Sequence, residues 1–164
     1  MRKSSSSVHE TYMREALREA KRAFEKGEVP VGAVVVHRGK IIARAYNQME
    51  TLHDPTAHAE MVAITQAAQA LSEGKKDHRG SLEGAVLYVT MEPCVMCTGA
   101  LILAKAKAAV FGIRDPKAGA CGSVYSIAED ERLNHVLRVK GGVLAEDSKL
   151  FLQEFFRNLR KERR

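Results

Sequence analysis

Apolar residues near the start of the chain recur at three- and four-residue spacing: Met13, Leu17, Ala20 and Phe24 share one helical face, which ends at Gly27. Ser7 and Glu10 fit the S-x-x-E capping box ahead of that stripe and predict the helix start there. The period then changes to that of strands. Gly32 to His37 and Lys40 to Tyr46 are apolar, β-branched runs around Arg38-Gly39, the pattern of a hairpin whose glycine takes positive φ. Asn47 to Thr56 is polar and reads as a loop. Asp54-Pro55-Thr56 supplies cap and breaker chemistry for a helical stretch from about Ala57 to Leu71, which His58 opens. Ser72 to Gly84 is charged and glycine-punctuated, a surface connector with Lys75, Lys76 and Arg79 in solvent.

Ala85 to Thr90 is a continuous apolar run suited to a strand buried on both faces, and Pro93 opens a small-residue helix from about Cys94 to Lys105. Ala108 to Ile113 is another strand. Strand, helix and strand in that order predict a right-handed crossover in a parallel part of a sheet. Ser123 to Asn134 reads as a short helix or irregular segment, Val136 to Val139 as a final strand, and Ala145 to Leu159 as a closing helix with Phe151, Phe155 and Leu159 on its apolar stripe. The fold class is α/β: three layers, with helices on both faces of a mixed sheet of about five strands. Residues 1–7 read as a frayed terminus and 8–164 as one domain. A chain of 164 residues, 45% apolar, carries one core and leaves no room for a second.

Composition narrows the function classes. An excess of 26 Lys and Arg over 20 Asp and Glu, net +6, favours a phosphate-rich partner. With no Trp and 5% aromatics, any nucleic-acid contact is electrostatic and pocket-like rather than a stacking platform. Three cysteines, an odd number, and no apolar run of signal-peptide or membrane-spanning length predict a soluble protein with reduced thiols, in the cytoplasm and away from membranes.

The chemistry concentrates in two places, His58-Ala59-Glu60 and Pro93-Cys94-Val95-Met96-Cys97. One imidazole and two thiolates favour zinc over magnesium or calcium, and three protein ligands instead of four leave a position for water, as in a catalytic site. Cys121, in Ala118-Gly119-Ala120-Cys121-Gly122, competes as a fourth ligand but has no second ligand near it. Cys94 and Cys97 share one face of a helical first turn, where the helix dipole favours thiolate. His58 and Glu60 would point ~200° apart in a regular helix. Both reach one centre only if that first turn forms the wall of the pocket. Glu60 is then the candidate proton carrier between metal-activated water and a leaving amine, the arrangement of hydrolytic deamination.

With these residues in place, the chain closely resembles the bacterial tRNA-specific adenosine deaminases of the cytidine and deoxycytidylate deaminase superfamily. The resemblance runs through Val29-Pro30-Val31-Gly32-Ala33, His53 to Glu60, Tyr88 to Cys97, Val110 to Lys117, Asn134-His135 and Phe155-Phe156-Arg157. It implies the cytidine-deaminase-like fold, one zinc per chain on His58, Cys94 and Cys97, and Glu60 as the catalytic residue. It also implies conversion of adenosine to inosine at the wobble position of a tRNA anticodon stem-loop, on a base flipped into the pocket. Asn47 and the Ala59 N–H match groups that bind the purine. Asp115, Lys117, Asn134, His135, Phe156 and Arg157 match candidate anticodon-loop contacts, and the tail from Leu150 to Arg164, net +3, suits phosphates. A homodimer is implied as well. Val136 stands where the resemblance leads one to expect a basic residue, and His53 is a candidate for the pocket rim.

Two rivals remain open on sequence grounds. One is a zinc-dependent deaminase of a free base or nucleotide such as guanine or cytosine, which shares the metal motif and Glu60. The other is a non-catalytic RNA-binding module whose zinc ties two helices together.

Overall fold

The chain, described by a computed structural model over residues 5–164, folds around a five-stranded sheet in the order β2-β1-β3-β4-β5. The elements run α1 (Ser5–Glu25), β1 (Gly32–His37), β2 (Lys40–Tyr46), α2 (Met49–Leu52), α3 (Ala59–Ser72), β3 (Val86–Met91), α4 (Val95–Leu103), β4 (Ala108–Ile113), β5 (Arg138–Lys140) and α5 (Ala145–Glu162). β1 pairs antiparallel with both β2 and β3, whereas β3–β4 and β4–β5 are parallel. The sheet is therefore mixed, and the β3-α4-β4 crossover supplies its first parallel pair, as the strand-helix-strand order predicts.

Side-chain alternation explains why both faces are covered. Ala33 and Val35 of β1, Leu87 and Val89 of β3, and Ala109 and Phe111 of β4 point to one face, where Ala59, Ala63, Ala67, Leu101 and Ile102 of α3 and α4 close over them. Val34, Val36, Tyr88 and Val110 point to the other, against Met13 and Ala16 of α1 and Val143 just before α5. Continuous apolar runs in β1 and β3 are thus the signature of strands with a helical layer on each side.

Several boundaries differ from the sequence reading for local reasons. α1 begins at Ser5, so Ser7 lies inside its first turn instead of ahead of it, and of the stretch expected to fray, residues 5–7 are helical while 1–4 lie outside the described residues. The expected Asn47 to Thr56 loop contains the single turn α2, held by the buried Glu28 carboxylate, which accepts the N–H groups of Glu50 (3.1 Å) and Thr51 (2.6 Å). Asp54 does not cap α3, because its carboxylate turns onto the Thr56 N–H at 2.8 Å and the Thr56 hydroxyl at 2.7 Å. Residues 123–134 are irregular, and the last strand is Arg138–Lys140, two residues later than Val136.

α1 approaches the sheet closely through Ala16, Ala20 and Ala23, all buried, and it meets the backbone of Gly32. A Cβ on Gly32 would fall on the main chain of Ala16, Glu19 and Ala20, which cannot rotate away. Gly32→Ala is expected to destabilise the fold by about 1–3 kcal/mol, through displacement of α1. A lowered urea midpoint with unchanged slope would record this, and an unchanged midpoint would show that α1 yields freely.

Candidate metal centre and active-site pocket

Because β1 runs against β3, the start of β1 and the end of β2 lie at the same sheet edge as the carboxyl ends of β3 and β4. Gly32 pairs with Tyr46, Ala33 with Val89, and Met91 with Ile113. Val29, Val31, Asn47, Met91, Glu92 and Asp115 consequently gather at one end of the sheet, where α3 and α4 also begin. Together with Met49, His58, Ala59, Glu60, Cys94 and Ala118 they line a cavity of about 180 Å³. That is below the ~300–1,000 Å³ of drug-sized sites and suits one small planar group.

His58 is the N-cap of α3 (φ −66°, ψ 151°) and Cys94 the N-cap of α4 (φ −75°, ψ 179°). Both have extended backbones, so the helical angle between His58 and Glu60 does not apply. His58 turns toward α4 while Glu60, in the first turn of α3, faces the same cavity. His58 Nδ1 lies 3.7 Å from Cys94 Sγ and 3.6 Å from Cys97 Sγ, and all three donor atoms lie within 4.8 Å of one another. Bonds of ~2.0 Å to nitrogen and ~2.3 Å to sulfur at a tetrahedral centre require donor separations close to these. The donors present therefore fit zinc.

Electrostatics support the same assignment. The Cys97 hydrogen bond is the largest influence holding the Cys94 thiol down to about 4, with His58 assisting against burial. Cys97 is pushed the other way, first by Cys94, then by burial and by Glu60. The two sulfurs and the Glu60 carboxyl thus crowd latent negative charge at one point, which a cation relieves. The hydrogen bond to Cys94 raises the His58 pKa despite burial. Burial also raises that of Glu60, 4% exposed, against the opposing pull of Cys97 and His58.

Cys121 stays outside this group. It is buried, its Sγ lies 3.5 Å from the Thr98 hydroxyl, and burial pushes its thiol up to about 11. Asn47 is buried at the cavity wall, where its amide donates to the Val29 carbonyl (3.3 Å) and its carbonyl accepts the Met49 N–H (3.3 Å). Ala59 lines the cavity at the first position of α3. Asp115 reaches it too, while accepting the N–H groups of Lys117 (2.9 Å) and Ala118 (3.3 Å).

Lys117, Asn134, Phe156 and Arg157 are exposed and do not line the cavity. Phe156 packs edge-on to Phe155, with ring centroids 5.4 Å apart. His135 Nε2 donates to the Ala106 carbonyl at 2.6 Å, so that nitrogen is engaged within the chain. His53 is an exposed left-handed residue at the end of α2 and is not a lining residue.

Glu92 escaped the sequence reading as a site residue. It is buried at the cavity wall, and its carboxylate accepts N–H groups from Asp115 (2.9 Å), Cys121 (3.1 Å) and Ser123 (3.0 Å) and the Ser123 hydroxyl. Burial opposes its charge, yet these bonds outweigh burial and hold its pKa below the usual value. A carboxylate directly after an apolar strand run was the one sequence signal for it.

The family described as the cytidine and deoxycytidylate deaminase zinc-binding region matches residues 6–113, a span that includes both metal motifs. The chain is 50% identical over 155 residues to the tRNA-specific adenosine deaminase of Bacillus subtilis (strain 168), covering 94% of this chain and 92% of that one. A solved structure from work on A-to-I editing by tRNA:A34 deaminases at the wobble position of transfer RNA is 39% identical with a TM-score of 0.79, over 87% of this chain and 99% of that one. Guanine deaminase from Bacillus subtilis is 37% identical with a TM-score of 0.59, over 70% and 69% of the two chains. The chain belongs to the zinc-binding cytidine and deoxycytidylate deaminase family and groups there with the tRNA-specific adenosine deaminases.

Proposed function

We propose that this protein deaminates adenosine to inosine at the wobble position of a tRNA anticodon, acting hydrolytically on a base flipped from the loop. The observation that carries the reading is a buried carboxyl, Glu60, in the wall of a one-base cavity beside three converging zinc donors. Similarity to tRNA-specific adenosine deaminases over nearly the whole chain supports the choice of substrate.

His58 through Nδ1, and Cys94 and Cys97 through sulfur, would hold one zinc per chain. When bound, the metal supplies Lewis acidity that brings the pKa of water toward neutrality. Glu60 takes a proton from the attacking water and returns it to the departing amine; burial favours its protonated form and so suits it to carry that proton between the two. A C–O bond forms at C6 as the C–N bond breaks, giving inosine and ammonia from adenosine and water. Asn47 is held by Val29 and Met49, which leaves its second amide hydrogen and second lone pair for the purine edge. The Ala59 N–H, at a helix start, is the partner donor. Val29, Val31 and Met91 keep water from the rest of the base.

Asp115 lines the cavity, Lys117 is exposed two residues beyond it, and Asn134, Phe156 and Arg157 are exposed surface groups, the last two on α5, where the net +3 tail adds attraction for phosphate. His135 contributes by its ring or Nδ1, since Nε2 is engaged. Free thiols suit a reducing compartment, and we assign the protein to the cytoplasm. A homodimer has a suitable surface on α4. Val95 and Leu103 are 48% and 86% exposed, Gly99 between them faces open space, and the three fall within roughly 80° on the helix.

The similarity to guanine deaminase favours one alternative, action on a free base. Incubation with an anticodon stem-loop carrying wobble adenosine, beside free bases and nucleotides, separates the two. Inosine in the stem-loop, read as an A to G change, is expected, and turnover of guanine or cytosine alone would overturn the reading. Glu60→Ala should keep zinc and fold while turnover drops ~10²- to 10⁴-fold. Metal analysis should find one zinc per chain in the native protein and in Cys121→Ser, and substoichiometric zinc in Cys97→Ser. Leu103→Glu should shift sedimentation from dimer to monomer, whereas a native monomer would remove α4 as an interface.

A further inference from the structure

Glu92 lies outside the three metal donors and is not Glu60, yet it is a buried carboxylate in the wall of the same cavity. Each of its oxygens is shared by parts of one loop. Oε1 accepts the N–H groups of Cys121 and Ser123, and Oε2 accepts the N–H of Asp115 and the hydroxyl of Ser123. The loop from Asp115 to Ser123 is thereby folded around a single side chain, and its near limb presents Asp115 and Ala118 to the cavity.

Two further contacts clamp the same loop to the start of α4: Ala120 N–H donates to the Pro93 carbonyl at 2.9 Å, and Cys94 bridges to Gly119. Gly119 is seated so tightly that a Cβ there would strike the Glu92 carboxylate and the Asp115 carbonyl. The chain closes over the carboxylate only because that residue has no side chain. Nothing else described in this loop provides an acceptor for these three N–H groups.

We propose that Glu92 is a positioning residue for the substrate: its carboxylate fixes the Asp115–Ser123 loop as the pocket wall that meets the nucleotides flanking the reacting base. It does not touch the reacting atoms and acts through Asp115, Lys117 and Ala118. This rests on the pocket being a site for a nucleotide within RNA.

The discriminating experiment is steady-state kinetics on the anticodon stem-loop with Glu92→Gln, Gly119→Ala and Ser123→Ala, each with a zinc count and amide exchange across residues 113–124. A glutamine amide turns one acceptor into a donor facing donors, and the alanine at 119 pushes the loop outward. Both should raise KM about tenfold with kcat within about threefold and zinc intact. Ser123 is exposed, so its alanine variant tests the same link in a chain that folds, with faster exchange at Asp115 and a smaller rise in KM. A merely structural role lowers the folded fraction, which reduces apparent kcat at unchanged KM. That split, or unchanged KM in Ser123→Ala despite faster exchange, would overturn the inference. Native protein inactive on the stem-loop would instead sink the functional reading and this inference with it.

Discussion

Two helix starts aimed at one point are the constraint on which the site depends. α3 and α4 both begin above the carboxyl ends of the parallel strands, and each starts with a metal donor where a capping hydroxyl or carboxylate commonly stands. Neither His58 nor Cys94 makes a side-chain cap bond, so imidazole and sulfur remain free to face each other. The helix dipoles favour negative charge at that point. Glu60 follows two residues after one cap and Cys97 three after the other, so a single convergence positions all four groups.

That convergence needs close packing beneath it. Ala59, Ala63 and Ala67 are fully buried along the sheet side of α3, and small side chains let the helix lie low against Val35 and Val89. Larger neighbours, Leu101 and Phe111, fill the space under α4. The antiparallel half of the sheet then contributes the opposite wall, since Val31 and Asn47 flank paired strands that end beside β3. Charge at the far wall is satisfied by three main-chain donors and the Ser123 hydroxyl to Glu92, so the cavity holds two buried carboxyl groups in different surroundings, Glu60 beside the sulfurs and Glu92 within a loop.

Much of this was legible along the chain because it is local. The β1–β2 hairpin and β4 fall where the apolar runs place them, and the crossover rule gives β3 and β4 their parallel pairing. Spacing and ligand chemistry single out His58, Cys94 and Cys97, whose donor atoms converge in the fold, and Glu60, which lines the cavity beside them. What escaped was tertiary. α2 depends on Glu28, more than twenty residues earlier in the chain. Glu92 gains its meaning from donors on a loop that only the folded sheet brings near. The extended backbone at His58 resolves the apparent divergence from Glu60, and no helical-period argument foretells it. The resemblance puts His135 among the RNA contacts, but the Ala106 carbonyl, in the turn between α4 and β4, decides where its Nε2 points.

The division of the sheet also spreads the donors along the chain. The imidazole stands 36 residues before one sulfur and 39 before the other, on a different helix. The three meet only where α3 and α4 are both seated on the sheet, so a metal held there would bind the folded chain in preference to the unfolded one and would tie its stability to the supply of that ion.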